Sequence, residues 1–137
     1  MSTRRQAREF VLKALYSYEI LERDVDVLID ELVAEKPLGE DHLAFARHYI
    51  EIAIKNFEFL DKEIVRLTKN WEIDRIAIID KTILRMALCE LNFMPDIPEK
   101  VAINEAIDLA KMYSTFESSS FVNGILDAAK AEHEDNH

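Results

Sequence analysis

The fold is decided by residues 74–93, Asp-Arg-Ile-Ala-Ile-Ile-Asp-Lys-Thr-Ile-Leu-Arg-Met-Ala-Leu-Cys-Glu-Leu-Asn-Phe. The stretch holds no Gly or Pro, opens on Asp74, a good N-cap, and stops just short of Pro95. Those signals predict one uninterrupted helix. At about 100° per residue, Ile76, Ile79, Ile83, Leu84, Met86, Ala87, Leu88 and Leu91 occupy more than half of its circumference. Asp74, Lys81 and Arg85 leave only a narrow polar stripe. A helix that is apolar nearly all round needs other helices around it, so this is the core helix of a bundle. Its charges must then reach a gap, a partner or a ligand, because a charge buried alone is costly.

Outward from that helix the pattern stays helical. Upstream, residues 60–69 form a helix with Ile64 and Leu67 inward, and Trp71 sits in the junction where its indole covers an inter-helix gap. Asp41 opens a helix to Phe57, burying Phe45, Tyr49, Ile50, Ala53 and Ile54; Asp24 caps another to Glu35, burying Val25, Leu28, Ile29, Leu32 and Val33. Lys36-Pro37-Leu38-Gly39-Glu40 is the loop between them. Ser2 or Thr3 caps the first helix, residues 4–20, whose core face is Ala7, Phe10, Val11, Ala14, Leu15 and Tyr18. Downstream, residues 92–98 are an extended link, Pro98 stands near the first turn of a helix from Glu99 to Met112, and residues 114–117 break the pattern. One of Ser118, Ser119 and Ser120 caps the last helix, with Val122, Ile125, Leu126 and Ala129 inward. Residues 131–137 lack apolar anchors and are expected to fray. The expectation is an all-α protein, a compact bundle of about seven helices, with residues 1–130 as one domain and 131–137 as an acidic tail.

Composition agrees. With 137 residues, 49% hydrophobic and 32% charged, and only two Gly and three Pro, the chain is long enough to bury a core without staples and has few tight turns. Cys89 is the only cysteine, which excludes an internal disulfide and points to a reducing, cytoplasmic setting. No apolar run approaches the roughly 18–20 residues of a membrane span, and no apolar segment follows Arg4-Arg5 as an export signal would require. Net charge is −10, yet residues 1–13 carry +3 and the remaining 124 carry −13. A basic end on an acidic body steers an anionic ligand to one place and repels it elsewhere.

A search for catalytic chemistry finds little. Cys89 lies on an apolar helix and reads as a buried, inert thiol. His42 and His48 are six apart, and His133 and His137 sit in the acidic tail, so no metal site is expected. There is no Gly-rich phosphate loop and no Ser-His-Asp ordering with a scaffold around it. The expectation is a protein that is not an enzyme and holds no cofactor.

Binding features are clearer. Arg4, Arg5 and Arg8 crowd a helix N-terminus, where three cations oppose the macrodipole. Arg5, Glu9, Leu12 and Tyr16 line up as a second stripe beside the core face, either widening the buried arc or offering a partner surface with an arginine end. Ser118-Ser119-Ser120-Phe121 puts hydroxyls and N–H groups at a helix start beside an aromatic. That is either an anion site with a stacking ring or an ordinary cap with Phe121 in the core. Asn123 and Gly124, one turn on, are poor residues for a helix interior; Asn can read a base edge and Gly permits close approach.

Four strings carry a resemblance: Arg-Arg-Gln-Ala-Arg-Glu-Phe with Ala-Leu-Tyr-Ser within residues 4–17, Ile-Leu-Arg-Met-Ala-Leu-Cys-Glu-Leu at 83–91, Lys-Val-Ala-Ile-Asn-Glu-Ala-Ile-Asp-Leu-Ala-Lys at 100–111, and Phe-Val-Asn-Gly-Ile-Leu-Asp at 121–127. In order and spacing they resemble the NusB family of bacterial transcription antitermination factors. The resemblance implies an all-helical protein of two packed sub-bundles that pairs with a small-subunit ribosomal protein, NusE. Together the two bind single-stranded boxA RNA in nascent ribosomal RNA transcripts, within an RNA polymerase antitermination complex. By position it implies RNA contacts from Arg4, Arg5, Arg8, Ser120, Phe121 and Asn123, and partner contacts at or near Tyr16, Asp80 and Arg85. Some members self-associate through the arginine-rich face, so a homodimer is a further expectation. This chain departs from the pattern in adding no basic residue at 92–96 and in its acidic tail, which implies RNA affinity that leans on the partner. The rival reading is a helical protein–protein module with no RNA binding of its own.

Overall fold

The computed structural model describes residues 2–69 and 73–135; Trp71 and the side chains of His133 and His137 lie outside the described residues. The described chain forms seven α-helices and one 3-10 turn, with no strand among the described residues. It divides into two compact units, Met1–Lys55 and Asn56–His137.

The first unit holds α1 (Arg4–Leu21), α2 (Val25–Glu35) and α3 (Glu40–Lys55). Thr3, not Ser2, caps α1 in a reciprocal box: its Oγ1 accepts from Gln6 N–H at 3.1 Å, and Gln6 Oε1 accepts from Thr3 N–H at 2.8 Å. Ser2 instead ties down the loop, accepting from Gly39 N–H at 2.9 Å and lying 2.5 Å from His42 Nδ1. α1 packs on α2 and α3. The alanines Ala7 and Ala14 of α1 and Ala46 and Ala53 of α3 are completely buried, which lets helix backbones approach closely. Phe10, Val11, Leu12, Leu15, Leu28, Ile29, Tyr49 and Ile50 fill the rest of this core. At its end α1 turns on Glu22, a non-glycine residue at φ 50°, whose N–H closes on the Tyr18 carbonyl.

The second unit holds α4 (Phe57–Thr68), a 3-10 turn (Ile73–Arg75), α5 (Ile78–Phe93), α6 (Glu99–Tyr113) and α7 (Phe116–Asp135). α4, α6 and α7 all pack on α5. Every residue of α5 from Asp80 to Glu90 is buried, as a helix that is apolar nearly all round requires. The start of α5 corrects the sequence reading. Asp74 does not cap it; Asp74 sits exposed in the 3-10 turn, where Ile76 N–H returns to the Ile73 carbonyl at 3.2 Å and Ile76 itself is buried. The helix begins after Ala77, which supplies no side-chain cap. Phe57 opens α4 instead of closing α3, the break falling at Asn56.

One further correction concerns the start of α7. Thr115 takes the role given to the serines: its Oγ1 accepts from Ser118 N–H at 3.1 Å, and Ser118 to Ser120 lie inside the helix. The helix also runs on to Asp135 over a segment expected to fray. Arg66 of α4 anchors it, bonding Glu132 at 2.6 Å and Glu63 at 2.8 Å. The hydrogen bond from Arg66 holds the Glu63 carboxyl below its ordinary value of 4.5. A carboxyl that titrates lower when folded stabilises the fold above its unfolded value, and that contribution vanishes as the pH falls through the folded value. Glu63→Gln is therefore expected to lower the stability at pH 7 by less than about 1 kcal/mol, because Arg66 is half-exposed. The gap from the parent protein should close as melts are taken below pH 4.5.

Candidate nucleic-acid interface

The cationic start of α1 is real but layered. Arg4 and Arg5 are exposed, whereas Arg8 is 3% exposed. Arg4 and Arg8 are one helical turn apart and converge on the same ring, with guanidinium carbons 3.9 and 5.9 Å from the Phe45 centroid. Further along, the second stripe splits. Leu12 is buried, so it widens the core, while Tyr16 is 37% exposed and remains available to a partner.

In the second unit the start of α7 faces the start of α5 across a cleft of about 380 Å³ lined by Arg75, Ile76, Ala77, Asp80, Glu117, Ser118 and Phe121. Phe121, expected among RNA contacts, and Asp80, expected among partner contacts, thus share one concavity. Asp80 is 2% exposed and accepts a hydrogen bond from the hydroxyl of Ser114, the C-cap of α6. Ser120 is exposed on the outer face of α7, and Asn123 is half-buried with its side-chain oxygen sealed from solvent and lacking a hydrogen-bond partner. An acceptor in that state is an energetic liability until a donor reaches it. Gly124 has open space where a side chain would stand. The sequence reading missed Arg75, hidden inside the supposed core helix, and Phe116, which is 88% exposed one turn before Ser120.

Arg85 is in a different position from the one expected. It is 2% exposed, its Nε donates to Asp61 Oδ1 of α4 at 2.6 Å, and its guanidinium carbon lies 4.2 Å from the Phe57 ring centroid. Side chains of α4 thus compensate the last charge of the stripe internally. In this conformation Arg85 offers no surface to a partner; it clamps α4 to α5.

The Cys89 thiol is pushed up to about 12, chiefly by burial and then by the neighbouring Glu90 carboxylate, so it stays protonated. Among the described residues no group of His, Cys, Asp and Glu is placed to hold a metal ion. Among the described residues no helix is long and apolar enough to cross a membrane.

What remains is an all-α scaffold presenting basic and hydroxyl-headed helix starts, of a class seen in solved structures. NusB from T. maritima matches with a TM-score of 0.87 and 38% identity over 96% of this chain and 93% of that one. A second match, TM-score 0.85 and 26% identity over 94% of this chain and 96% of that one, comes from the structure of antitermination factors NusB and NusE in complex with double-stranded RNA. Residues 5–131 match the model of the NusB family, and the chain belongs to that family. Transcription antitermination protein NusB of Chloroherpeton thalassium is 42% identical over 131 residues; the alignment takes in 95% of this chain and 62% of that protein's length.

Proposed function

We propose that this chain is an RNA-binding adaptor of transcription antitermination, acting in the cytoplasm without catalysis of its own. With a small-subunit ribosomal protein of the NusE type it binds boxA-type RNA in nascent ribosomal RNA transcripts and helps RNA polymerase resist termination. The observation that carries this reading is the close match, over nearly the whole chain, to a solved complex named for NusB, NusE and RNA. The local chemistry supports it: a +3 segment on a chain of net −10, ending in exposed Arg4 and Arg5, concentrates attraction for phosphate at one helix start.

Roles divide by chemistry. Arg4 and Arg5 supply phosphate contacts, which position an RNA without reading it, and Arg8 lies beneath them. Ser120, Phe121 and Asn123 supply the reading, a ring to stack on an unpaired base and an amide to bond its edge. Tyr16 and the cleft holding Asp80 are offered to the ribosomal protein, and Arg85 contributes by tying α5, which forms one wall of that cleft, to α4. Residues 1–130 act as one functional unit. The test is a comparison of boxA-type and scrambled single strands, and of a duplex, by fluorescence anisotropy. Phe121→Ala and Asn123→Ala are expected to erase most of the preference for boxA, each worth about 1–3 kcal/mol on the preferred strand. If both variants weaken every RNA by the same factor, this division of roles is wrong.

A further inference from the structure

Phe45 of α3 is the surface on which the arginine-bearing start of α1 rests. The Arg4 guanidinium carbon lies 3.9 Å from its ring centroid and that of Arg8 lies 5.9 Å away. The ring is itself fixed, meeting Tyr49 edge-on with centroids 5.8 Å apart at 89°, and Tyr49 is fully buried. Two like charges at i, i+4 at the start of a helix are unfavourable to each other and to the helix dipole. The electron-rich face of one aromatic ring offsets both.

We infer that Phe45 is a positioning residue for RNA binding: a platform that holds the Arg4 guanidinium flat and leaves its in-plane N–H edges for phosphate. The inference rests on the RNA-binding reading above. Stacking uses only the face of the guanidinium, while all five of its donors point outward in the plane. An arginine already stacked has surrendered part of its rotamer freedom before the ligand arrives, so less is lost on binding. A lysine at the same place would keep the charge and lose both the plane and the platform.

The experiment is a double-mutant cycle on the full chain, titrated with a single-stranded boxA-type oligonucleotide at fixed salt. Phe45→Leu keeps the apolar bulk and removes the π face; it is expected to weaken binding about three- to five-fold. Phe45→Tyr should bind as the parent does. In an Arg4→Ala background, Phe45→Leu should cause no further loss, which a role confined to folding would not produce. Equal losses in both backgrounds would overturn the inference. Arg4→Lys is a surface change that spares the core, and it should reproduce the three- to five-fold loss. Parent-like binding by Arg4→Lys would also overturn it. Failure of the parent chain to bind the oligonucleotide, with or without the ribosomal protein, would instead remove the RNA reading and take this inference with it.

Discussion

Asp61→Ala is expected to destabilise the fold by about 3 kcal/mol and to lower the melting temperature by roughly 10 °C, although Asp61 is a third exposed. The cost comes less from the lost attraction than from what is left behind. Arg85, 2% exposed, would keep its charge with its Nε donor stripped of the carboxylate 2.6 Å away. The Phe57 ring below it supplies partial compensation through its π face. Replacing both members, Arg85→Met with Asp61→Leu, removes the charge together with its partner and should recover most of the stability. Urea or thermal melts followed by circular dichroism decide it. A single variant melting with the parent would mean that the pair does not hold α4 to α5.

The second large effect concerns affinity. Engagement of three or four phosphates by a single strand gives a slope of log affinity on log salt of roughly −2 to −3. Each contact is worth about five-fold at 0.1 M salt, so Arg4→Ala with Arg5→Ala should weaken binding about 25-fold there and make the slope shallower by about 1.4. Both residues are exposed and Arg4 lies over a ring instead of in a carboxylate pair, so stability should change little. A slope that stays the same in the double variant would take these arginines out of the RNA contact.

Much of the fold was legible because its helices bury one face at a 3.6-residue period. The core face of α1 and the all-round burial of α5 both follow from apolar spacing alone. Boundaries were read less well where polar residues compete as caps. Asp74 and the serines at 118–120 have the right chemistry for an N-cap, but Asp74 falls in a 3-10 turn and Thr115 stands ahead of the serines. The polar stripe of the core helix was visible as an anomaly, yet its resolution was not. Arg85 finds Asp61 24 positions earlier, and Asp80 finds Ser114 34 positions later, pairings that no local period encodes. For the same reason the reading placed Arg8 at the surface and could not see Phe45 beneath Arg4.

The most direct measurement is the affinity for a single-stranded boxA-type RNA, taken with and without the small-subunit ribosomal protein. If this chain is an adaptor that joins the two, each ligand must tighten the other by the same factor, expected between about 5- and 150-fold. The salt slope should stay near −2 to −3. RNA affinity that is identical in the presence and absence of the protein, with no dependence on salt, would contradict the account.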